Sequence, residues 1–132
     1  MTKTTARASQ IRQRLLQIPN EIAAQIEVLV RPRHLFRGYL YDSPRRCGKP
    51  SCHCADGDLH PAWVVATKID QRQTTRSVSG PLQRRLSKLS TNYRNFRQAQ
   101  KQIRQLHREA MALTIELENL LAEDVFGGRG RR

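Results

Sequence analysis

Three cysteines and a histidine crowd into fourteen residues, CGKPSCHCADGDLH at 47–60, in the spacing C-x4-C-x-C-x5-H. Side chains so close in sequence reach a single ion only through tight turns, and Gly48, Pro50 and Gly57 can supply them. Three thiolates and an imidazole are an established donor set for tetrahedral Zn2+. The candidate ligands are Cys47, Cys52, Cys54 and His60. If the backbone between Cys52 and Cys54 is extended, side chains alternate and His53 turns away from an ion held by its neighbours. His60 is then the better fourth donor, with Asp56 and Asp58 as alternatives. Four protein ligands close the coordination shell, which favours a structural ion over a catalytic one. Two other readings compete: buried free cysteines, and a redox pair of Cys52 and Cys54. The second suffers from the strain of a disulfide across one residue.

A metal also answers a difficulty of composition. The chain has 132 residues, of which 38% are hydrophobic and only seven aromatic, so one large apolar core is not expected. In so small a domain a bound ion supplements burial. The opening MTKTTARASQ is polar and no apolar run approaches membrane-spanning length, so the expectation is a cytoplasmic protein with no membrane partner. An odd cysteine count in a reducing compartment argues for metal binding rather than disulfides.

Periodicity predicts an α+β fold. Ile11, Leu15, Ile18, Ile22, Ile26 and Leu29 recur at helical spacing, so 1–34 reads as an N-terminal helical segment, kinked or divided in two at Pro19. Residues 35–80 read as a small zinc-stabilised β domain. It has a strand at 35–42, then WVVATKI (63–69) and QTTRSVS (73–79) as a hairpin around Asp70 to Arg72. Trp63 and Tyr39 are core candidates. Gly80-Pro81 opens a long helix over 81–124, with the weak helix formers SKLSTN (87–92) as the expected break. Its apolar positions, Leu82 to Phe96 and then Ile103 to Leu120, have coiled-coil character with a slip near Ala99 and Gln100. The stretch 125–132, ending GGRGRR, reads as a disordered basic tail.

Charge indicates the partner. The net charge is +13 and the pI about 11, a balance that points to phosphate and hence to DNA or RNA. Eight Lys or Arg and no acid lie between Pro81 and Arg108, whereas Glu109 to Asp124 holds five acids and no base. That order opposes the helix dipole, so it calls for an external reason. One is a basic half lying along a phosphate backbone; the other is an antiparallel homodimer that sets basic halves against acidic ones. The candidate nucleic-acid contacts are Arg45, Arg46, Lys49, Arg84, Arg85, Lys88, Arg94, Arg97 and Lys101. The first three have an equal alternative reading, as neutralising a zinc centre whose three thiolates leave it near −1. His107-Arg108-Glu109 matches the H-x-E of zinc deaminases only by accident, because it follows the cysteines and lies on a helix. No Ser-His-acid set or phosphate-binding loop is present, so the chain is not expected to be an enzyme. The function expected is zinc-stabilised nucleic-acid binding, and the alternative is an adaptor that docks or dimerises through the C-terminal helix.

RRCGKPSCHC, LHPAWVV and NYRNFRQ together resemble a family of short bacterial proteins that share a Cys-Gly-Lys-Pro motif. Its members read like RRCGKPxCxC, LHGPYY and NYRRFR. The resemblance covers roughly residues 35 to 105 and carries over Cys47, Gly48, Lys49, Pro50, Cys52, Cys54 and His60 as shared positions. The chain departs from the pattern at Pro61-Ala62-Trp63, where an aromatic is nevertheless kept. The resemblance implies a metal site and, because many members are encoded near transposases, a role as an accessory of a mobile element.

Overall fold

The computed structural model describes residues 2–127. Its elements are helix α1 (Lys3–Val30), strands β1 (Gly38–Asp42), β2 (Trp63–Ile69) and β3 (Arg72–Val78), and helix α2 (Gly80–Leu121). A single 3-10 turn, His53–Asp56, lies between β1 and β2. This is an α+β fold with the Cys/His cluster in a loop of its sheet. Among the described residues no helix is long and apolar enough to cross a membrane. Of the expected basic tail, residues 128–132 lie outside the described residues.

The expected division of the first helix does not occur, since α1 is unbroken with Pro19 inside it. Such a proline costs about 3 kcal/mol or more. Ile11 and Ile18 are fully buried on the same helix, and burial of an isoleucine contributes about 1.5–3 kcal/mol. The two together match or exceed the proline's cost. Ile26, which spacing puts on the stripe, is 45% exposed.

The chain forms two compact units, α1 with the residues from Gln98 onward, and Arg31–Arg97. In the first unit Arg7 donates from Nε and Nη2 to Glu116 Oε1 and Oε2 at 2.7 and 2.8 Å. Arg14 donates likewise to Glu109 Oε2 and Oε1 at 2.6 and 2.8 Å, and also bonds Glu21. Seven residues forward on α1 match seven backward on α2, so the two segments run antiparallel. The apolar positions Ile103, Leu106, Ala110, Leu113, Leu117 and Leu120 of α2 are half-buried, and Ala99 is buried. Two of the five acids therefore have arginine partners within the chain, which accounts for part of the charge boundary on α2.

These guanidinium hydrogen bonds, opposed by burial, hold the Glu109 and Glu116 carboxyls below the ordinary carboxylate range. A carboxyl with a depressed folded pKa adds stability above its unfolded pKa and withdraws it as pH falls through the folded value. Melting followed by circular dichroism should therefore show this helix pair losing stability as pH falls below the ordinary carboxylate range and through the depressed folded values. Glu109→Gln with Glu116→Gln should lower the midpoint near neutrality and weaken its dependence on acid. The effect is modest, because the pairs are partly exposed.

In the second unit the sheet is antiparallel in the order β1-β2-β3. Ile69 pairs with Arg72, leaving Asp70 and Gln71 as a two-residue turn with φ of +50° and +66°. Two positive φ values in succession give the type I′ geometry that matches strand twist. Central strand β2 buries Val64, Val65 and Ala66 in succession, so both of its faces are covered there. Tyr39 and Trp63, expected in the core, are 52% and 39% exposed. The expected break at 87–92 is absent as well. Ser90, 1% exposed, donates from its hydroxyl to the Gly38 carbonyl at 2.6 Å, and Thr91 donates to the Ser87 carbonyl. The weak helix former is thus a tertiary tie between α2 and β1. Ser90→Ala leaves a buried carbonyl without that partner and should cost about 1–3 kcal/mol in chemical denaturation. Gly38 is confined as well, because a Cβ there would lie 2.7 Å from the Ala66 carbonyl oxygen.

Candidate metal centre

The β1–β2 ladder does not stop at the strand ends. Beyond the Asp42–Trp63 pair, the Ser43 amide donates to the Ala62 carbonyl at 2.7 Å. Arg45 and His60 then exchange backbone bonds of 3.0 and 2.9 Å. The two backbones that enter the cysteine loop are thereby clamped, and His60 is fixed to the sheet. Sequence reading found His60 as a donor but missed this bridge. The signal available was that Arg45 and His60 continue the strand pairing outward.

Within the loop, Gly48 at φ +82° lets the chain reverse, and the Cys52 amide donates to the Lys49 carbonyl at 3.1 Å. From Cys52 the chain enters the 3-10 turn, which Gly57 ends in the left-handed region at φ +118°. The backbone at Cys52 is extended, but Cys54 lies inside the turn. His53 is excluded from the four-donor cluster and exposed, as expected. The reason is this turn and not strand alternation. Its Nδ1 lies 3.8 Å from Cys52 Sγ, and its ring packs edge-on to that of His60 at 5.1 Å.

Cys47, Cys52, Cys54 and His60 each present one donor atom, and all four atoms lie within 4.8 Å of one another. Cys47 Sγ is 3.4 Å from Cys54 Sγ, and Cys52 Sγ is 3.1 Å from His60 Nε2. Ideal tetrahedral zinc bonds would set such donors roughly 3.5–3.8 Å apart. Two of the donor pairs are slightly closer than that and the widest separation is within 4.8 Å, so the four atoms reach a tetrahedral arrangement through small shifts. Asp56 and Asp58, the alternative fourth donors, are not among the clustered groups.

The electrostatics suit a cation. The Lys49 backbone amide, then the Cys54 thiol and the His60 imidazole, pull the Cys47 thiol down to about 6. Cys52 is lowered too, chiefly by the Cys54 backbone amide. At Cys54 the Cys47 amide, whose nitrogen is 3.4 Å from the sulfur, also acts downward, but burial and the neighbouring thiols outweigh it and the net displacement is upward. Cys47 and then Cys52 raise the His60 imidazole. Two of the three thiols are thus displaced toward the thiolate form that a metal takes, and the third away from it.

Arg45, Arg46 and Lys49 are exposed around this loop. Arg46, Lys49 and Pro50 border a cleft of about 160 Å³ beside Cys54. Arg84, Arg85, Lys88, Arg94 and Arg97 are exposed on the part of α2 that belongs to the same unit, whereas Lys101 lies on the other unit.

The fold and the loop together define an α+β protein with a Cys3His cluster that could hold a metal ion. The chain belongs to the family described as a domain of unknown function (DUF6788), whose model matches residues 8–88. That span takes in most of α1, the whole sheet and cysteine loop, and the first turns of α2. No curated protein and no solved structure matches the chain.

Proposed function

We propose that the protein is a zinc-stabilised nucleic-acid-binding protein without catalytic activity, in which zinc holds the 43–62 loop and exposed basic side chains hold phosphate. One observation carries the reading: charge is concentrated in the unit that carries the metal cluster. Residues 31–97 contain 14 Lys or Arg against 4 Asp or Glu, net +10 of the chain's +13. The eight candidate contacts in that unit are all exposed. Such a surface stores repulsion that a polyanion relieves by releasing counterions.

Zinc suits the site better than harder cations, because three of the four donors are sulfur. Bound there, it supplies a structural cross-link, and four protein ligands leave no position for substrate. The mobile-element setting implied by the Cys-Gly-Lys-Pro resemblance is consistent with this role, as an accessory that holds DNA or RNA for another protein's chemistry.

Binding of the zinc-quantified protein to duplex DNA, single-stranded DNA and structured RNA across a salt series tests the reading. A steep fall of affinity with salt, with a preference among the three, is the expected result. With six to ten phosphate contacts the loss would be about 10³–10⁵-fold between about 50 and 200 mM salt. Affinity that is weak and insensitive to salt would remove nucleic acid as the partner.

A further inference from the structure

Unit 31–97 contains a second feature, away from the cysteine loop. A cavity of about 610 Å³ is lined by Arg37 and Tyr39 of β1 and its approach, Ala66 and Lys68 of β2, and Tyr93 and Arg94 of α2. Its wall is mostly carbon. Tyr39 is half exposed, and its ring centroid is 6.0 Å from that of Tyr41, so two phenols stand side by side on the outer face of β1. Arg37, Lys68 and Arg94 are exposed, and none forms an ion pair with a carboxylate among the described residues. Arg94 donates from Nη2 to Thr91 Oγ1 at 3.1 Å, which holds its guanidinium against the helix. No acidic residue lines the cavity.

A largely apolar cleft bordered by the tyrosines Tyr39 and Tyr93, with three exposed cations and no acid in its lining, suits a flat ring that carries negative charge close by. The volume is in the range of small-molecule sites. Bases offer a π-face to aromatic side chains whatever their identity, and arginine adds cation–π attraction. One cation would satisfy a carboxylate; three on separate elements suit phosphates on either side of a nucleoside.

We propose that this cavity receives the base of one unpaired nucleotide in a nucleic-acid strand, stacked against Tyr39 and Tyr93, with the flanking phosphates held by Arg37, Lys68 and Arg94. The inference rests on the nucleic-acid reading above and sharpens it: the preferred ligand is a bulge, an end or a single-stranded junction. A paired base must leave its stack to enter, at a cost that an unpaired base does not meet.

The test uses the full-length, zinc-loaded protein and three forms of one short duplex, made in DNA and in RNA. One is fully paired, one carries a single bulged adenosine, and one carries an abasic residue at the bulge. The base-bearing bulge should bind about 5- to 150-fold more tightly than its abasic counterpart. Tyr39→Ala should abolish that difference. Its side chain is exposed, so the change empties no core. A 2-aminopurine at the bulge should lose emission when the wild-type protein binds, a reading that needs no variant. Equal affinity for the base-bearing and abasic duplexes, with salt-dependent binding intact, overturns the cavity assignment and leaves the nucleic-acid reading standing. A preference that survives Tyr39→Ala, or an unchanged emission, also overturns it. Absence of salt-dependent binding to every duplex overturns both.

Discussion

Cys54→Ser, or chelation of the metal near neutral pH, is expected to unfold residues 43–62 and to carry the sheet with them. Within that loop only Cys54 is buried, at 1% exposure, and the rest is half-buried or exposed. Hydrophobic burial cannot hold such a segment. The clamp at Arg45 and His60 is a single bridge, and past it the chain keeps only short turns. In zinc-finger peptides a structural zinc supplies an apparent binding energy of about 10–16 kcal/mol. That is as large as the net stability of an ordinary domain, about 5–15 kcal/mol. Loss of the ion should therefore abolish the cooperative transition of residues 31–97, read as collapse of the amide dispersion of the sheet in NMR. Metal content should fall below the one zinc per chain expected of the wild type, because one thiolate donor is lost and the remaining three hold the ion more weakly. His60→Cys should keep the metal, because four thiolates are also a structural set. Asp56→Ala with Asp58→Ala should leave metal content untouched. A Cys54→Ser protein that melts like the wild type would show the thiols to be merely packed.

The second large effect concerns charge. Arg84→Glu, Arg85→Glu and Lys88→Glu in one protein should flatten the salt dependence of nucleic-acid affinity by a slope of about 3, one for each lost phosphate contact. At low salt the affinity itself should fall well beyond tenfold, since each site changes from attraction to repulsion. The three side chains are exposed and none pairs with an acid among the described residues, so the fold should survive their reversal. Retention of both affinity and slope would remove the first turns of α2 from the interface. Reversal of Arg45, Arg46 and Lys49 could then be compared directly, and a loss of metal in that variant would show their part in neutralising the thiolates.

The clustering of Cys47, Cys52, Cys54 and His60 was legible because its information is local. Four donors and three turn-forming residues sit within fourteen positions, and no distant contact is needed to bring them together. Elements were legible too, but their covering was not. Alternation and β-branching identify β2 as a strand; they do not say that its middle is covered on both sides while Trp63 at its end stays open. Strand ends moved for a similar reason. β3 begins at Arg72 because Asp70 and Gln71 alone make the turn, although neither is a glycine. At 87–92 propensity lost to tertiary structure, since Ser90 reaches the Gly38 carbonyl 52 residues away. The acids of α2 were the least legible. Arg7 and Arg14, and Glu109 and Glu116, share a seven-residue interval, but the pairing of residues 95 to 109 positions apart shows only once the two helical segments are laid side by side.

That long interval has a consequence for how the chain is made. On the ribosome α1 emerges before the sheet and α2, and Glu116 follows Arg7 by 109 residues. At about 5–20 residues per second the delay is on the order of 5–20 s. The unit that carries the Cys/His cluster has all of its residues by Arg97 and can fold during this time. The face that ends up burying Ala8, Ile11 and Ile18 cannot, and stays in water until the last turns of α2 arrive. Helix α1, made before the sheet, thus finds its partner after the sheet can close, and in the interim its apolar stripe is open to any chaperone or nascent neighbour that meets it.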